Sequence, residues 1–361
     1  MDLPVMPPLK PMLAKPSAKL PEGDVSYEPK WDGFRCIVFR DGDEVVMGSR
    51  NERPLNRYFP EMIEPFKASL PDRCVVDGEI FVAIDGSLDF DALGQRIHPA
   101  ESRVTMLAEK TPAAFVAFDV IALGDDSHLD TPFAERRRIL ESIAPGFEPP
   151  VHLAPATDDP ELAMEWFDAF EGAGLDGLII KPLADPYAPN KRTQLKLKHV
   201  RSADCVVAGY RMHKSGDGVG SLVLGLYADD GRLHHVGVAA SFTAKRRVEL
   251  VDELAPFVLD DITDHPWAEW MDAEANADGT MPGAPNRWSG ASGRDHSWTP
   301  VRPEQVVEVR YTWTTAGRFR GTTKMLRWRP DREPDSCRLD QLSEPAPLPP
   351  DSILRDIVGE A

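Results

Sequence analysis

The chain has 361 residues, 42% of them hydrophobic and 28% charged, which is long enough for two folded domains and excludes a disordered or fibrous protein. Its 59 acidic residues against 41 basic ones leave a net charge of −18, which excludes a polycation that coats nucleic acid through overall charge. Any nucleic-acid contact must therefore use a local basic surface. Cys36, Cys74, Cys205 and Cys337 lie far apart and form no C-x-x-C pair, which argues against a structural zinc site or a disulfide framework and fits a reducing cytosol. The most apolar stretch, Ala113 to Leu123, is interrupted by Asp119 and is far shorter than the roughly 20 residues that span a bilayer. The opening MDLPVMPPLKPMLAKP lacks a charged-then-apolar signal pattern, so neither secretion nor membrane anchoring is expected.

From Val25 to about Val200, short apolar runs alternate with helical patterns. RCIVFR, EVVMGS, CVVDGEIFVAI, AAFVAFDVIAL, DGLIIKP and TQLKLKHV read as strands. Phe59 to Leu70, Pro132 to Ile143 with Thr131 as N-cap, and Pro160 to Glu171 read as helices. Sheets packed with interspersed helices, an α+β domain, follow from this pattern. From Cys205 onward the character changes to β: CVVAGYRM, SLVLGLYADDGRLHHVGVAA with a turn at Asp230-Gly231, QVVEVRYTWTT and KMLRWRP are strands, with one helix at Ala244 to Val258. That arrangement suits a small Greek-key barrel such as an OB-fold. The boundary is placed near His199 to Asp204, giving domains at 1–200 and 204–342. A proline-rich tail at 343–361 carries little fold information. Ten carboxylates and no Lys or Arg lie between Glu249 and Asp278, before a Gly/Pro/Asn/Ser-rich stretch up to Ser297, so an acidic, solvated and mobile loop is expected there.

The residues that carry chemistry begin with YEPKWDGFR, where Lys30 is followed by Asp32 and by Gly33, which lets the chain turn tightly beside a ligand. A lysine becomes a nucleophile only on losing its proton. By itself the pattern also describes a surface lysine before a turn. In VVDGEIFV, alternation puts Asp77, Glu79 and Phe81 on one strand face, suited to ribose hydroxyls, a metal, or merely solvent. Phe118 in FVAFDVI is either core or a platform for a base. GLDGLIIKP places Asp176 before a buried strand and Lys181 at its end; a carboxylate at a strand mouth suits a divalent metal, while Asp-Gly is also a common turn. In TQLKLKHV, Lys196 and Lys198 share one face while Leu195 and Leu197 face the core, an unfavourable pairing unless an anion such as phosphate sits between them, although a solvated edge strand decorated with lysines reads the same way. Arg327, Arg329, Asp331 and Arg332 concentrate charge after the last strand. Before it, Arg310, Arg318, Arg320 and Lys324 interleave with Tyr311, Trp313 and Phe319, the make-up of a nucleic-acid groove or of a solvated β face.

Taken in order, KWDGFR, SR, DGEI, FDVI, LDGLIIK, LKLK and RWRPDR resemble the motif series of the covalent nucleotidyltransferases. Within them the chain is most similar to ATP-dependent DNA ligases of the short bacterial ligase C type, related to the ligase module of bacterial end joining. The resemblance runs from about Pro7 to Leu342 and implies an adenylation (nucleotidyltransferase) domain of antiparallel sheets with flanking helices, followed by an OB-fold β-barrel. It further implies that Lys30 attacks the α-phosphate of ATP to form a lysine-linked AMP. Arg35, Arg50 and Glu79 would hold the ribose and neighbouring phosphate, and Phe118 would stack on adenine. Asp32 and Asp176 would work with Mg²⁺ or Mn²⁺, and Lys196 and Lys198 would neutralise the α-phosphate. The cluster of Arg327, Asp331 and Arg332 would orient pyrophosphate, and Arg310, Arg318, Arg320 and Lys324 would face DNA. Two positions differ from the usual family pattern without loss of charge: Asp176 stands where Glu is common, and Asp331-Arg332 where Asp-Lys is common.

The implied activity is the sealing of nicks in double-stranded DNA, in repair or end joining beside a Ku-like end binder and a primase-polymerase, by a monomer in the bacterial cytosol or nucleoid. An RNA ligase or a GTP-using capping guanylyltransferase would share the lysine chemistry. A non-catalytic nucleic-acid-binding OB protein is the alternative from another class; the intact Lys30, Glu79, Lys196 and Lys198 argue against it.

Overall fold

The computed structural model describes residues 1–268, 297–315, 317–342, 348–349 and 352–359. These fall into two compact units, one of Met1–Lys198 with the described residues after position 344, the other within His199–Glu344.

The first unit is built on two sheets. One has the strand order Val151–Leu153, Ala114–Leu123, Arg73–Phe81, Phe34–Asp41, Glu44–Ser49, antiparallel throughout except for the parallel pairing of Val151–Leu153 with Ala114–Leu123. The other runs Ala14–Pro16, Gln194–Lys198, Gly177–Pro182, Val25–Pro29. Alternation along the strands divides their side chains between two cores. Cys36, Val38, Ile80, Phe115 and Ala117 point to one side, where Phe59, Met62 and Phe66 of a short 3₁₀ turn and the helix Ile63–Ser69 cover them. Phe81, Val116 and Phe118 point to the other and meet Tyr27, Leu178 and Ile180 of the second sheet, so the two sheets share a core.

Several boundaries differ from the sequence reading. The helix expected from Pro132 is Phe133–Ile143, with Pro132 rather than Thr131 at its N-cap; the Thr131 carbonyl instead accepts from Arg136 Nη1 at 2.6 Å. The helix from Pro160 ends at Ala169 and tightens into a 3₁₀ turn, Phe170–Ala173. Beyond position 347, Leu348, Leu354 and Val358 are buried in the same cluster as Trp166 and Phe170, so this part of the proline-rich segment contributes to the core of the first unit.

The second unit is a five-stranded antiparallel sheet in the order Leu233–Ala240, Val219–Tyr227, Arg201–Met212, Thr299–Tyr311, Lys324–Trp328. Hydrogen bonds from Thr323 N–H to the Val238 carbonyl (2.9 Å) and from Ala240 N–H to the Thr323 carbonyl (3.2 Å) bring its two edges together, which closes the barrel around a core that includes Val206, Leu222, Leu224, Val307 and Val309. The helix Ala244–Leu254 starts at Thr243, whose hydroxyl accepts from the Arg246 N–H at 3.2 Å. The acidic stretch expected to be a loop from Glu249 therefore begins as helix. It continues into packed structure: His265 and Trp267 are buried, and the Trp267 indole donates to the Leu233 carbonyl at 2.8 Å. Residues 269–278 of that stretch, and its continuation to 296, lie outside the described residues. All four cysteines are free and buried.

Candidate active site

Lys30 leaves the strand Val25–Pro29 and is clamped by its backbone to the entry of Gly177–Pro182. Its N–H donates to the Gly177 carbonyl at 2.8 Å, and its carbonyl accepts from the Asp176 N–H at 3.4 Å. Two glycines permit this approach. Gly177 has φ +140°, and a Cβ there would lie 2.0 Å from the Leu197 carbonyl oxygen; one on Gly33 would lie 2.2 Å from that of Ile80. Each Asp-Gly pair thus presents a carboxylate beside a backbone crossing that only glycine fits.

The Lys30 ammonium sits 2.7 Å from Asp176 Oδ1, and the Lys198 ammonium bonds the other oxygen, Oδ2. Lys196 and Lys198 lie opposite Ile179 and Gly177 on the paired strand. The anion that makes this lysine pair tolerable is, in this structure, a side chain of the chain itself. Burial alone would lower the Lys30 pKa, but Asp176, Asp32 and Glu79 outweigh it and hold Lys30 above its ordinary value. Burial would raise the Asp176 carboxyl, yet Lys30 and Lys198 keep it below the usual carboxylate range. Lys196 is lowered by burial and by repulsion from Lys198 and Lys30.

Glu79 accepts from the Gly33 N–H at 3.2 Å, and burial pushes its carboxyl up to about 7 against the pull of Arg35 and Lys30. Arg35, its cross-strand partner, uses Nε and Nη2 to bond both oxygens of Asp77, each at 2.6 Å. The Tyr187 hydroxyl donates to the same Asp77 at 2.6 Å. Arg35 lies 4.3 Å over the Phe118 ring, and the Lys181 ammonium lies 4.8 Å from that ring's centroid. Phe118 itself is buried in the shared core.

Lys30, Asp32, Arg35, Glu79, Phe118, Asp176, Lys196 and Lys198 are thus linked by contacts or by mutual electrostatic influence. Arg50 is not part of that set. It is exposed just past the strand Glu44–Ser49, on a polar pocket that Lys10, Asn51, Glu52 and Asn190 also line. The sequence reading assigned no role to Glu28, Lys181 or Tyr187; Asp77, read with Glu79 as a carboxylate for ribose hydroxyls or a metal, is instead taken by Arg35 and Tyr187. Glu28 and Lys181 form a buried pair at 2.7 Å, with side chains 3% and 4% exposed, and Lys181 also donates to the Phe118 carbonyl at 2.9 Å. A charge inside an apolar strand was the available signal, since such a group must be partnered when buried.

Within the second unit, Arg310 and Lys324 are exposed and directly opposite one another on paired strands. Arg318 reaches the ring of buried His235 with Nη2, and burial together with Arg318 and Arg211 pushes that imidazole down to about 3. Arg320 donates its backbone N–H to the Trp313 carbonyl at 3.2 Å. Arg327 pairs with Glu308 at 2.7 Å, and Arg329 bridges Asp204 and Asp331. Arg332 approaches Asp204 at 3.4 Å.

An ATP dependent DNA ligase domain profile matches residues 11–198, and an ATP dependent DNA ligase C terminal region profile matches residues 215–332. DNA ligase C of Mycobacterium tuberculosis is 54% identical over 350 residues, covering 96% of each chain. DNA ligase C2 of Mycolicibacterium smegmatis is 55% identical over 349 residues, covering 96% of this chain and 97% of that protein. Among solved structures, a Lig E DNA ligase shares the fold with a TM-score of 0.55 at 16% identity, over 89% of this chain and 99% of that one. With both units matched in order and the likeness spanning nearly the whole length, the chain belongs to the ATP-dependent DNA ligases of the bacterial ligase C type.

Proposed function

We propose that Lys30 is the residue through which this ligase handles AMP. The observation that carries the reading is the ion-pair chain Lys30–Asp176–Lys198, in which a lysine at a strand end shares one carboxylate with a second lysine on the facing strand. In the first step the Lys30 Nζ lone pair attacks the α-phosphorus of ATP, the bond from that phosphorus to the bridging oxygen breaks, and pyrophosphate leaves with the electron pair. Nζ gives up a proton in doing so. The 5′-phosphate at a nick then attacks the same phosphorus and frees Lys30. Finally the 3′-hydroxyl attacks the activated 5′-phosphate and AMP leaves.

Lys30 is held protonated while Asp176 is bonded to it, so the first step requires that pair to loosen. Lys196 and Lys198 face the α-phosphate and take up charge developing on its oxygens, and Glu79 faces the ribose. Arg35, held along two nitrogens by Asp77, keeps Nη1 for the nucleotide, and Phe118, which carries Arg35 over its ring, would meet the base only after that guanidinium moves aside. Arg50, on its own pocket, meets a phosphate away from Lys30. Among the described residues no three His, Cys, Asp or Glu side chains converge into a closed metal cage. Two carboxylates beside a phosphate site nevertheless match the way Mg²⁺ is bound, by one or two protein oxygens with substrate and water completing the shell. Asp32 and Asp176 would hold that ion, Mg²⁺ or Mn²⁺, which when bound supplies positive charge against both the carboxylates and the triphosphate. In the second unit Arg327, Asp331 and Arg332 serve the pyrophosphate, and Arg310, Arg318, Arg320 and Lys324 serve nicked duplex DNA. Break repair is the physiological setting of this reading, with a Ku-like end binder and a primase-polymerase as companions and the enzyme working as a monomer.

The test is incubation with α-labelled ATP or GTP and Mg²⁺, followed by denaturation and addition of nicked DNA in a parallel sample. Label from ATP should remain on the denatured parent protein, raise its mass by one AMP and be lost on sealing. Lys30→Ala and Lys30→Arg should take up none, and chelation of Mg²⁺ should stop uptake by the parent. Label on the Lys30→Ala protein would sink the assignment.

A further inference from the structure

The charged segment after the last strand of the second unit is organised around a residue that lies far from it in sequence. Asp204, in the strand Arg201–Met212, has a side chain only 13% exposed. Arg329 Nη1 donates to both of its oxygens, at 2.9 and 2.8 Å, and Arg332 Nε lies 3.4 Å from Oδ2. The opposite edge of the Arg329 guanidinium is occupied by Asp331, with Nε at 3.0 Å from Oδ1 and Nη2 at 2.8 Å from Oδ2. The backbone of Asp204 is fixed as well: its N–H donates to Gln341 Oε1 at 3.0 Å, and Gln341 Nε2 donates to its carbonyl at 3.2 Å. Arg329 is itself held to the sheet by its N–H on the Val306 carbonyl at 2.8 Å.

A guanidinium whose edges are filled by two carboxylates is a strut, and a phosphate would have to displace one of them to reach it. Arg329 therefore orients its neighbours, while Arg327, whose side chain is 65% exposed and would have to turn from Glu308, and Arg332, held by Asp204 only at 3.4 Å, are the cations that can swing to an anion. We propose that Asp204 is a positioning residue for the first step of ligation: through Arg329 and Arg332 it sets the segment Arg327–Arg332 against the pyrophosphate leaving group. This rests on the lysine–AMP reading above. Pyrophosphate leaves only in the first step, so the contribution of Asp204 is confined to that step, in both directions of the ATP–pyrophosphate exchange.

Asp204→Asn keeps the shape and the backbone bonds to Gln341 but leaves Arg329 and Arg332 facing a neutral amide. Three rates decide the matter in the full-length chain: enzyme–AMP formation, ATP–pyrophosphate exchange, and sealing of a nick that already carries a 5′-adenylate. The expected result for Asp204→Asn is a loss of at least tenfold in the first two with sealing within about twofold of the parent, and recovery of part of the loss in Asp204→Glu, which restores the charge. Equal losses in all three rates, or unchanged enzyme–AMP formation, would overturn the proposal. Should Asp204→Asn fail to fold, Asp204→Glu is read by the same ratio: a selective first-step loss supports the role and a uniform loss refutes it. A parent chain that takes up no AMP would overturn the lysine–AMP reading first, and this one with it.

Discussion

Ionising a carboxyl that the fold has partly removed from water is unfavourable, and Glu79 carries that penalty with its pKa raised from 4.5 to about 7. Between those two values the folded chain retains a proton that the unfolded chain has released. Stability therefore falls as pH rises through this window, and the whole penalty is present above about pH 7. Glutamine cannot ionise and keeps the amide-to-carbonyl geometry available to the Gly33 N–H. Glu79→Gln should accordingly match the parent in thermal stability near pH 4.5 and exceed it by about 1–3 kcal/mol near pH 8. Enzyme–AMP formation should drop sharply in the same variant, because the group proposed to face the ribose has lost its charge. Thermal melts across pH, with AMP uptake measured alongside, separate the two effects; a variant less stable than the parent at pH 8 would remove the claim that Glu79 is held at an energetic disadvantage.

Strand Gln194–Lys198 shows the same conflict at the level of an element, since Lys196 is disfavoured in its charged form by burial and by two neighbouring lysines. Lys196→Ala should leave the melting temperature unchanged or raise it, and should reduce enzyme–AMP formation at least tenfold; a stability loss proportional to the activity loss would make Lys196 a structural residue. This strand was readable in the sequence because alternation separates Leu195 and Leu197 from the two lysines. The strands Glu44–Ser49 and Ala114–Leu123 were readable as short apolar runs, the second buried along nearly its whole length. What the local pattern hides is pairing across long separations. Tyr187 reaches Asp77 over 110 positions and so fixes Arg35, which no spacing near KWDGFR announces. Short-range chemistry also misled where backbone and side chain compete: Thr131 resembles an N-cap, but its carbonyl is taken by Arg136 and Pro132 holds the cap position. At the far end, Leu354, Ile357 and Val358 carry helical apolar spacing that the surrounding prolines obscure.

A chain with net charge −18 that acts on a polyanion needs a surface where positive charge is concentrated and not already neutralised. Much of the arginine in the second unit does not qualify: Arg246 pairs with Glu253, Arg327 with Glu308, Arg329 with Asp204 and Asp331, and Arg338 with Asp229. Arg310 and Lys324 are different. They face each other across the pairing of Thr299–Tyr311 with Lys324–Trp328, both exposed, in a register where like charges repel. A nucleic-acid backbone relieves that repulsion, and each phosphate neutralised releases condensed counterions, so the pair should contribute to affinity chiefly at low salt. The double variant Arg310→Ala, Lys324→Ala should keep enzyme–AMP formation at the parent rate while weakening binding to nicked duplex roughly tenfold at low ionic strength. Its plot of log affinity against log salt should be shallower by about 1–2, the release expected from two lost phosphate contacts. Titration of labelled nicked DNA at several salt concentrations reads both quantities. A variant with parental slope would place the DNA contacts elsewhere on the chain, whereas a parallel loss of AMP uptake would show that the strand pair supports the fold of the unit and not its grip on DNA.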